Sequence, residues 1–132
     1  MYKPKPNDMG HTIKIERTLT FTDENIGDLL VAAFEGGIDY WCRMVRIMFV
    51  PEEHLGKYEY ASDVIALGGV LELYDAESPD TWELTLDKFL NGLKMYCEEN
   101  NYKNAEDLMD GHDADTADAI VQYALFDDVI FG

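Results

Sequence analysis

Basic residues are scarce: ten Lys and Arg stand against 27 Asp and Glu in 132 residues, for a net charge of −17. A field of that sign repels phosphate backbones and anionic lipid headgroups, which argues against direct nucleic-acid or membrane binding. Cysteine is almost absent. Cys42 and Cys97 form no CxxC pair and no Cys/His cluster, and both sit among apolar neighbours. They are expected to be reduced core residues in a cytosolic protein. Long apolar runs are missing too: nothing approaches the roughly 20 residues of a membrane-spanning helix, and the first ten residues hold no signal-peptide apolar stretch. The sequence lacks G-x-S-x-G, P-loop, H-E-x-x-H and dinucleotide-binding glycine patterns. Each corresponding enzyme class loses its usual mark, so the expectation is a protein that is not an enzyme and uses no cofactor.

What is present supports a folded domain. Hydrophobic residues make up 47% and aromatics 12%, and a chain of this length buries roughly 68% of its unfolded surface. The charge is unevenly spread. Residues 1–60 hold 7 basic and 10 acidic side chains, whereas residues 61–132 hold 3 basic and 17 acidic. Ten of the acids, Glu98, Glu99, Glu106, Asp107, Asp110, Asp113, Asp115, Asp118, Asp127 and Asp128, stand between residues 98 and 128 with Lys103 as the single base among them. This run reads either as a solvated face that keeps the protein soluble or as an interaction surface for a basic partner.

Periodicity predicts an α+β fold, with a mainly antiparallel sheet of about four strands packed on two or three amphipathic helices. Residues 1–10, with Pro4, Pro6 and Gly10, read as a flexible tail, and residues 11–132 as one domain. From Thr12 to Phe21 the chain alternates, with Ile13, Ile15, Leu19 and Phe21 on one face interrupted only by Arg17, and a strand is expected. Thr22 then caps a helix carrying Ile26, Leu29, Leu30, Ala33 and Phe34, which Gly36-Gly37 would stop in the left-handed manner. Arg43 to Val50 reads as a strand, although Ile38, Trp41, Val45 and Met48 would also match helical spacing. Ser62 would cap a short helix over Asp63 to Leu67, ended by Gly68-Gly69. Val70 to Tyr74 and Thr81 to Leu84 form a hairpin. Thr85 caps the strongest helix, in which Leu86, Phe89, Leu90, Leu93, Tyr96 and Cys97 follow helical spacing until Asn100-Asn101. A second helix runs from about Asp115 to Phe126, with Asp115 and Asp118 among its capping acids. Val129 to Phe131 would add an edge strand.

Candidate chemistry is thin. Asp110-Gly111-His112-Asp113-Ala114-Asp115 offers alternating oxygens and a histidine, but the calcium-loop order is missing. Capping of the following helix is the favoured reading over a metal site or an acid/base pair. His11 and His54 stand alone, and no metal site is expected. Glu35-Gly36-Gly37-Ile38-Asp39-Tyr40-Trp41 is the most distinctive stretch. It reads either as a ligand pocket of Glu35, Tyr40 and Trp41 with Arg43 and Arg46 nearby, or as a glycine-flanked aromatic anchor in the core. The anchor is favoured, since large aromatics supply so much buried area.

Several segments together resemble a family of small proteins encoded by tailed phages and prophages. They are Ala33-Phe34-Glu35-Gly36-Gly37-Ile38-Asp39-Tyr40-Trp41-Cys42, the stretch from Gly56 to Ser62, the Gly68-Gly69 strand entry and Leu84-Thr85-Leu86-Asp87-Lys88-Phe89-Leu90-Asn91-Gly92. The run from Asp113 to Asp118 followed by Gln122-Tyr123-Ala124-Leu125-Phe126 completes the set. Where that family has Phe-Gly near its end, this chain has Phe126-Asp127. The resemblance implies phage origin and action in the cytoplasm of an infected bacterium, and it brings no catalytic residues.

Two function classes follow. One is an accessory protein that binds and inhibits a host defence protein, as an anti-CRISPR does, by presenting carboxylates where a basic nucleic-acid-binding effector expects phosphates. The other is a binder or sponge for a signalling nucleotide, with Tyr40 and Trp41 stacking a base and Arg43 and Arg46 meeting its phosphates.

Overall fold

The computed structural model describes residues 10–132. The expected tail falls, apart from Gly10, outside the described residues. The element order is α1 (Asp23–Ala32), β1 (Cys42–Phe49), β2 (Val70–Asp75), β3 (Thr81–Leu84), α2 (Leu86–Glu99), α3 (Ala105–Gly111) and α4 (Ala114–Phe126). The fold is α+β, with one three-stranded antiparallel sheet in the order β1-β2-β3.

Alternation along the strands decides which face is buried. The rows Val45–Leu73–Trp82 and Ile47–Leu71–Leu84 run across the sheet on its inner face, and Leu71, Leu73 and Leu84 are fully buried. The next rows, Arg46–Glu72–Glu83 and Met44–Tyr74–Thr81, face outward. Glu72 and Glu83 are like charges placed directly opposite, and Arg46 relieves the clash by an ion pair to Glu72 at 3.7 Å.

The helices begin where their caps predict. Thr22 accepts from the Asn25 N–H at 3.0 Å, and the Asn25 side chain accepts from the Thr22 N–H in return. Thr85 accepts from the Lys88 N–H at 3.3 Å and opens α2. Each such cap contributes about 1 kcal/mol. Phe89, Leu93 and Cys97 of α2 meet Ala117, Ile120, Val121 and Ala124 of α4 in one core, which also takes Leu29 and Leu30 of α1, Val64 and Ile65, and Leu108 of α3. Burying each large aliphatic or aromatic chain there stabilises the fold by about 1.5–3 kcal/mol. Both cysteines are free and buried, and burial pushes both thiols above their usual range.

Five local expectations are corrected. The segment from Thr12 to Phe21 is no strand: it pairs with nothing among the described residues, Ile13 and Ile15 are exposed, and only Leu19 and Phe21 reach the core. Alternation specifies a backbone and a face, but a ladder also needs a partner edge, and this segment borders a groove against α2 instead. The sheet therefore has three strands, not about four. Second, Gly36-Gly37 does not supply a left-handed stop. The helix widens into a π turn over Ala33–Gly37, closed by the Ile38 N–H to the Ala33 carbonyl at 3.0 Å. Third, the short helix at Asp63–Leu67 is replaced by a 3-10 turn at Ala61–Asp63, where Asp63 and not Ser62 caps by accepting from the Glu59 and Tyr60 N–H groups. Fourth, Val129 to Phe131 forms no strand. Fifth, α3 is an additional helix, capped by Asn104, whose side chain accepts from the Asp107 N–H at 2.8 Å.

Asp127 ends α4 in the left-handed conformation, with φ 56° and ψ 15°. A Cβ is strained there, and a carboxylate opposes the negative end of the helix dipole. Asp127→Gly is therefore expected to stabilise the fold by about 0.5–1 kcal/mol, read as a raised midpoint in urea unfolding at unchanged slope.

Candidate functional site

The residues marked out by sequence separate into two groups with different fates. The first surrounds Trp41. The π turn after α1 carries the chain past the start of α4 at close range: a Cβ on Gly37 would lie 2.7 Å from the Ala114 carbonyl oxygen, so only glycine fits. That approach delivers Tyr40 and Trp41 to the flank of α4. The Tyr40 hydroxyl donates to Asp118 Oδ2 at 2.6 Å, and the Trp41 indole N–H donates to Asp118 Oδ1 at 2.8 Å. Gln122, one turn along α4, donates its amide N–H to the same Oδ1 at 2.9 Å. Its carbonyl oxygen accepts from the Ile130 and Phe131 N–H groups, both at 2.8 Å. A side-chain amide thus stands in for the partner strand that residues 129–131 lack.

Phe131, held in this way, stacks on Trp41 with ring centroids 5.0 Å apart and planes 4° apart. Trp82 and Phe126 close on the same indole edge-on at 5.7 and 5.8 Å. Trp41 is 2% exposed. It is the core anchor, and it is not open to stack a base. The other members of the envisaged pocket are engaged elsewhere or scattered. Arg43 lies 5.1 Å over the Tyr74 ring and donates to the Asp75 carbonyl, Arg46 pairs with Glu72, and Glu35 is exposed in the π turn. The nucleotide-pocket expectation is corrected on that ground: its aromatic platform is already covered from within.

Tyr40 is half exposed, yet its hydroxyl resists ionisation. Desolvation first, then the hydrogen bond and negative charge of Asp118, push its pKa up to about 12. The neutral phenol is the form the fold prefers, so its contribution is present below the ordinary tyrosine value near 10 and is lost as pH rises toward about 12. Titration followed by tyrosinate absorbance is expected to end on a phenol near 12, beyond the raised Tyr74 and Tyr102, and to lose that last step in Tyr40→Phe.

The second group is the acidic run. Asp118 does not belong to it: that carboxylate is buried with three donors on it, a correction to its assignment both as surface and as cap. Asp113 is the cap of α4. Its Oδ1 accepts from the Thr116 N–H at 2.9 Å, and this bond, with that from the Thr116 hydroxyl, holds its carboxyl below the usual range. Asp115 lies in the first turn. His112 is tied to the Met109 carbonyl at 2.6 Å, so the Asp110–Asp115 cluster is a helix boundary as favoured, and no group of metal-ligating side chains is found among the described residues. Glu98, Glu99, Glu106, Asp107, Asp110, Asp113, Asp115, Asp127 and Asp128 are exposed. The first seven span the end of α2, α3 and the start of α4, and the last two follow α4, whose 13 residues separate the sets by roughly 20 Å along its axis. Within this region the one ion pair among the described residues is Lys94–Glu98 at 3.9 Å.

Gln122 and the aromatic plug of Trp82, Phe126 and Phe131 were not anticipated from sequence. A signal existed: Asp118 and Gln122 are polar at i and i+4 beside the apolar positions Ala117 and Val121, where a buried face permits only satisfied polar groups.

The fold and site define a small α+β domain with a buried Tyr-Trp-Asp-Gln network and an exposed acidic helical region. No protein-family model, curated protein or solved structure matches the chain. No helix among the described residues is long and apolar enough to cross a membrane.

Proposed function

We propose that this is a phage-encoded binding protein that acts inside a bacterial host, where its acidic helical region competes with nucleic acid for the basic channel of a defence effector of the anti-CRISPR target type. The observation that supports this reading is the exposure of nine carboxylates between Glu98 and Asp128 with a single weak internal ion pair. A solvated face needs only scattered charge, whereas phosphate mimicry needs many uncompensated carboxylates, because duplex DNA carries one charge per about 1.7 Å of axis. The two acidic sets stand near opposite ends of α4, roughly 20 Å apart along its axis. Charge complementarity of this kind accelerates encounter and weakens with salt.

The test is displacement of a labelled target duplex from a guide-loaded RNA-guided nuclease. The substitutions are chosen by geometry: Glu99→Gln, Glu106→Gln, Asp107→Asn, Asp110→Asn and Asp115→Asn together, leaving the cap Asp113 and the buried Asp118 intact. The five-fold variant is expected to fold normally and to displace the duplex about tenfold less well at low salt. Equal displacement by the variant would remove the acidic region from the interface.

A further inference from the structure

Residues 10–21, before α1, leave their backbone bonding capacity unspent. Among the described residues, 10–21 make no backbone hydrogen bond and no ion pair. Their strand-like alternation nonetheless leaves Ile13 81% and Ile15 67% exposed. Leu19 and Phe21, on the same face, pack on the core, so the apolar line runs outward from the protein. Beside it lies a groove of about 880 Å³ whose walls include Ile15, Leu19, Leu90 and Leu93. Leu90 is itself 42% exposed on α2. Unpaired backbone donors and acceptors on a segment with strand-like alternation can pair with a strand of another chain.

We propose that the occupant is the same segment of a second copy, paired antiparallel about a two-fold axis through Ile15. The sequence Thr12-Ile13-Lys14-Ile15-Glu16-Arg17-Thr18 is complementary to itself in that register. Ile15 faces Ile15, Lys14 faces Glu16 and Glu16 faces Lys14, so two opposite-charge pairs form, each Ile13 meets Arg17 across the pair, and Thr12 meets Thr18. Moving the axis one residue either way sets Glu16 on Glu16 or Lys14 on Lys14, which like-charge repulsion disfavours. The pairing places Ile13 and Ile15 of both copies on one face, continuous with Leu19 and the groove over Leu90. Isologous contact of this kind closes into a dimer.

The charge distribution supports the choice of partner. Two chains of −17 repel overall, but residues 10–21 carry Lys14 and Arg17 against Glu16 alone, so two copies meet here with little of that repulsion. Salt screens that repulsion, so self-association strengthens as salt rises. That is the opposite of the salt response expected for the acidic region against a basic partner, so the two proposals fail separately.

Sedimentation equilibrium of the full chain over a concentration series, at low salt and at about 1 M NaCl, where the screening length falls to about 3 Å, tests the pairing. A monomer–dimer equilibrium favoured by salt is expected. Lys14→Glu and Glu16→Lys alone each place two like-charge pairs across the axis and are expected to weaken association about tenfold, while the double variant restores it. Residues 14 and 16 are exposed, and unchanged urea midpoints of the monomers check that the fold is intact. A chain that stays monomeric at high salt would overturn the proposal, as would a dimer indifferent to both single swaps or a double variant no better than either.

Discussion

Gly92→Ala is expected to destabilise the protein by about 3 kcal/mol, the upper part of the range for overpacking a close contact. Gly92 sits in the middle of α2, where alanine would ordinarily be favoured over glycine by about 1 kcal/mol. Here the sign reverses. A Cβ would stand 2.5 Å from the Ile120 carbonyl oxygen, 2.6 Å from the Ala124 amide nitrogen and 2.8 Å from its Cα. All three are backbone atoms of α4, so no rotamer change relieves the clash and the two helices must part. Their parting loosens Phe89, Leu93, Ile120 and Val121 together. Urea unfolding of Gly92→Ala checks this, with Asn91→Ala as the exposed neighbour expected to move the midpoint little. A Gly92→Ala midpoint at or above that of the wild type would mean that α2 and α4 do not approach so closely.

Asp118→Ala is the second large effect, also expected to cost about 3 kcal/mol, since bonds to a charged group contribute roughly 1.5–3 kcal/mol each and buried donors left unmet are penalised. The substitution strips the acceptor from the Trp41 indole, the Tyr40 hydroxyl and the Gln122 amide at once. Gln122 then loses the bond that orients it, and with it the grip on residues 130 and 131. Tryptophan emission separates this from a diffuse loss of stability. Release of Phe131 uncovers Trp41, so emission is expected to shift to the red and become quenchable by acrylamide under conditions where circular dichroism still reports a folded chain. Asp118→Asn keeps one acceptor oxygen for the Trp41 and Gln122 donors but turns an N–H₂ toward the Tyr40 hydroxyl, and is expected to fall between alanine and wild type. Neither variant is expected to alter the salt dependence of partner binding, because this carboxylate does not face solvent.

How much of this was legible in advance depended on whether the determinant was local. Thr22 and Thr85 announce their helices because a cap needs only its own next three residues, whereas the cap of α4 falls on Asp113 and not on Asp115. The hairpin of β2 and β3 was legible from its alternation and from the polar turn between the strands. The same alternation misled at residues 12–21, since nothing local says whether a partner strand exists. Trp41 was rightly favoured as an anchor, on size alone, but what covers it comes from residues 82, 126 and 131, far along the chain. Asp118 groups with the surface acids in the sequence for a related reason: a carboxylate on a helix reads as solvated unless its donors, here 77 and 78 positions away, are known. Removing it from the acidic run leaves nine exposed carboxylates, and these carry the functional reading.

That reading is tested most directly by the salt dependence of duplex displacement from a guide-loaded RNA-guided nuclease, compared between the wild type and the five-fold acidic variant. The account predicts that the logarithm of the apparent binding constant falls steeply with the logarithm of salt for the wild type, and distinctly less steeply for the variant. No displacement by the wild type at low salt, or the same slope for both proteins, would contradict it.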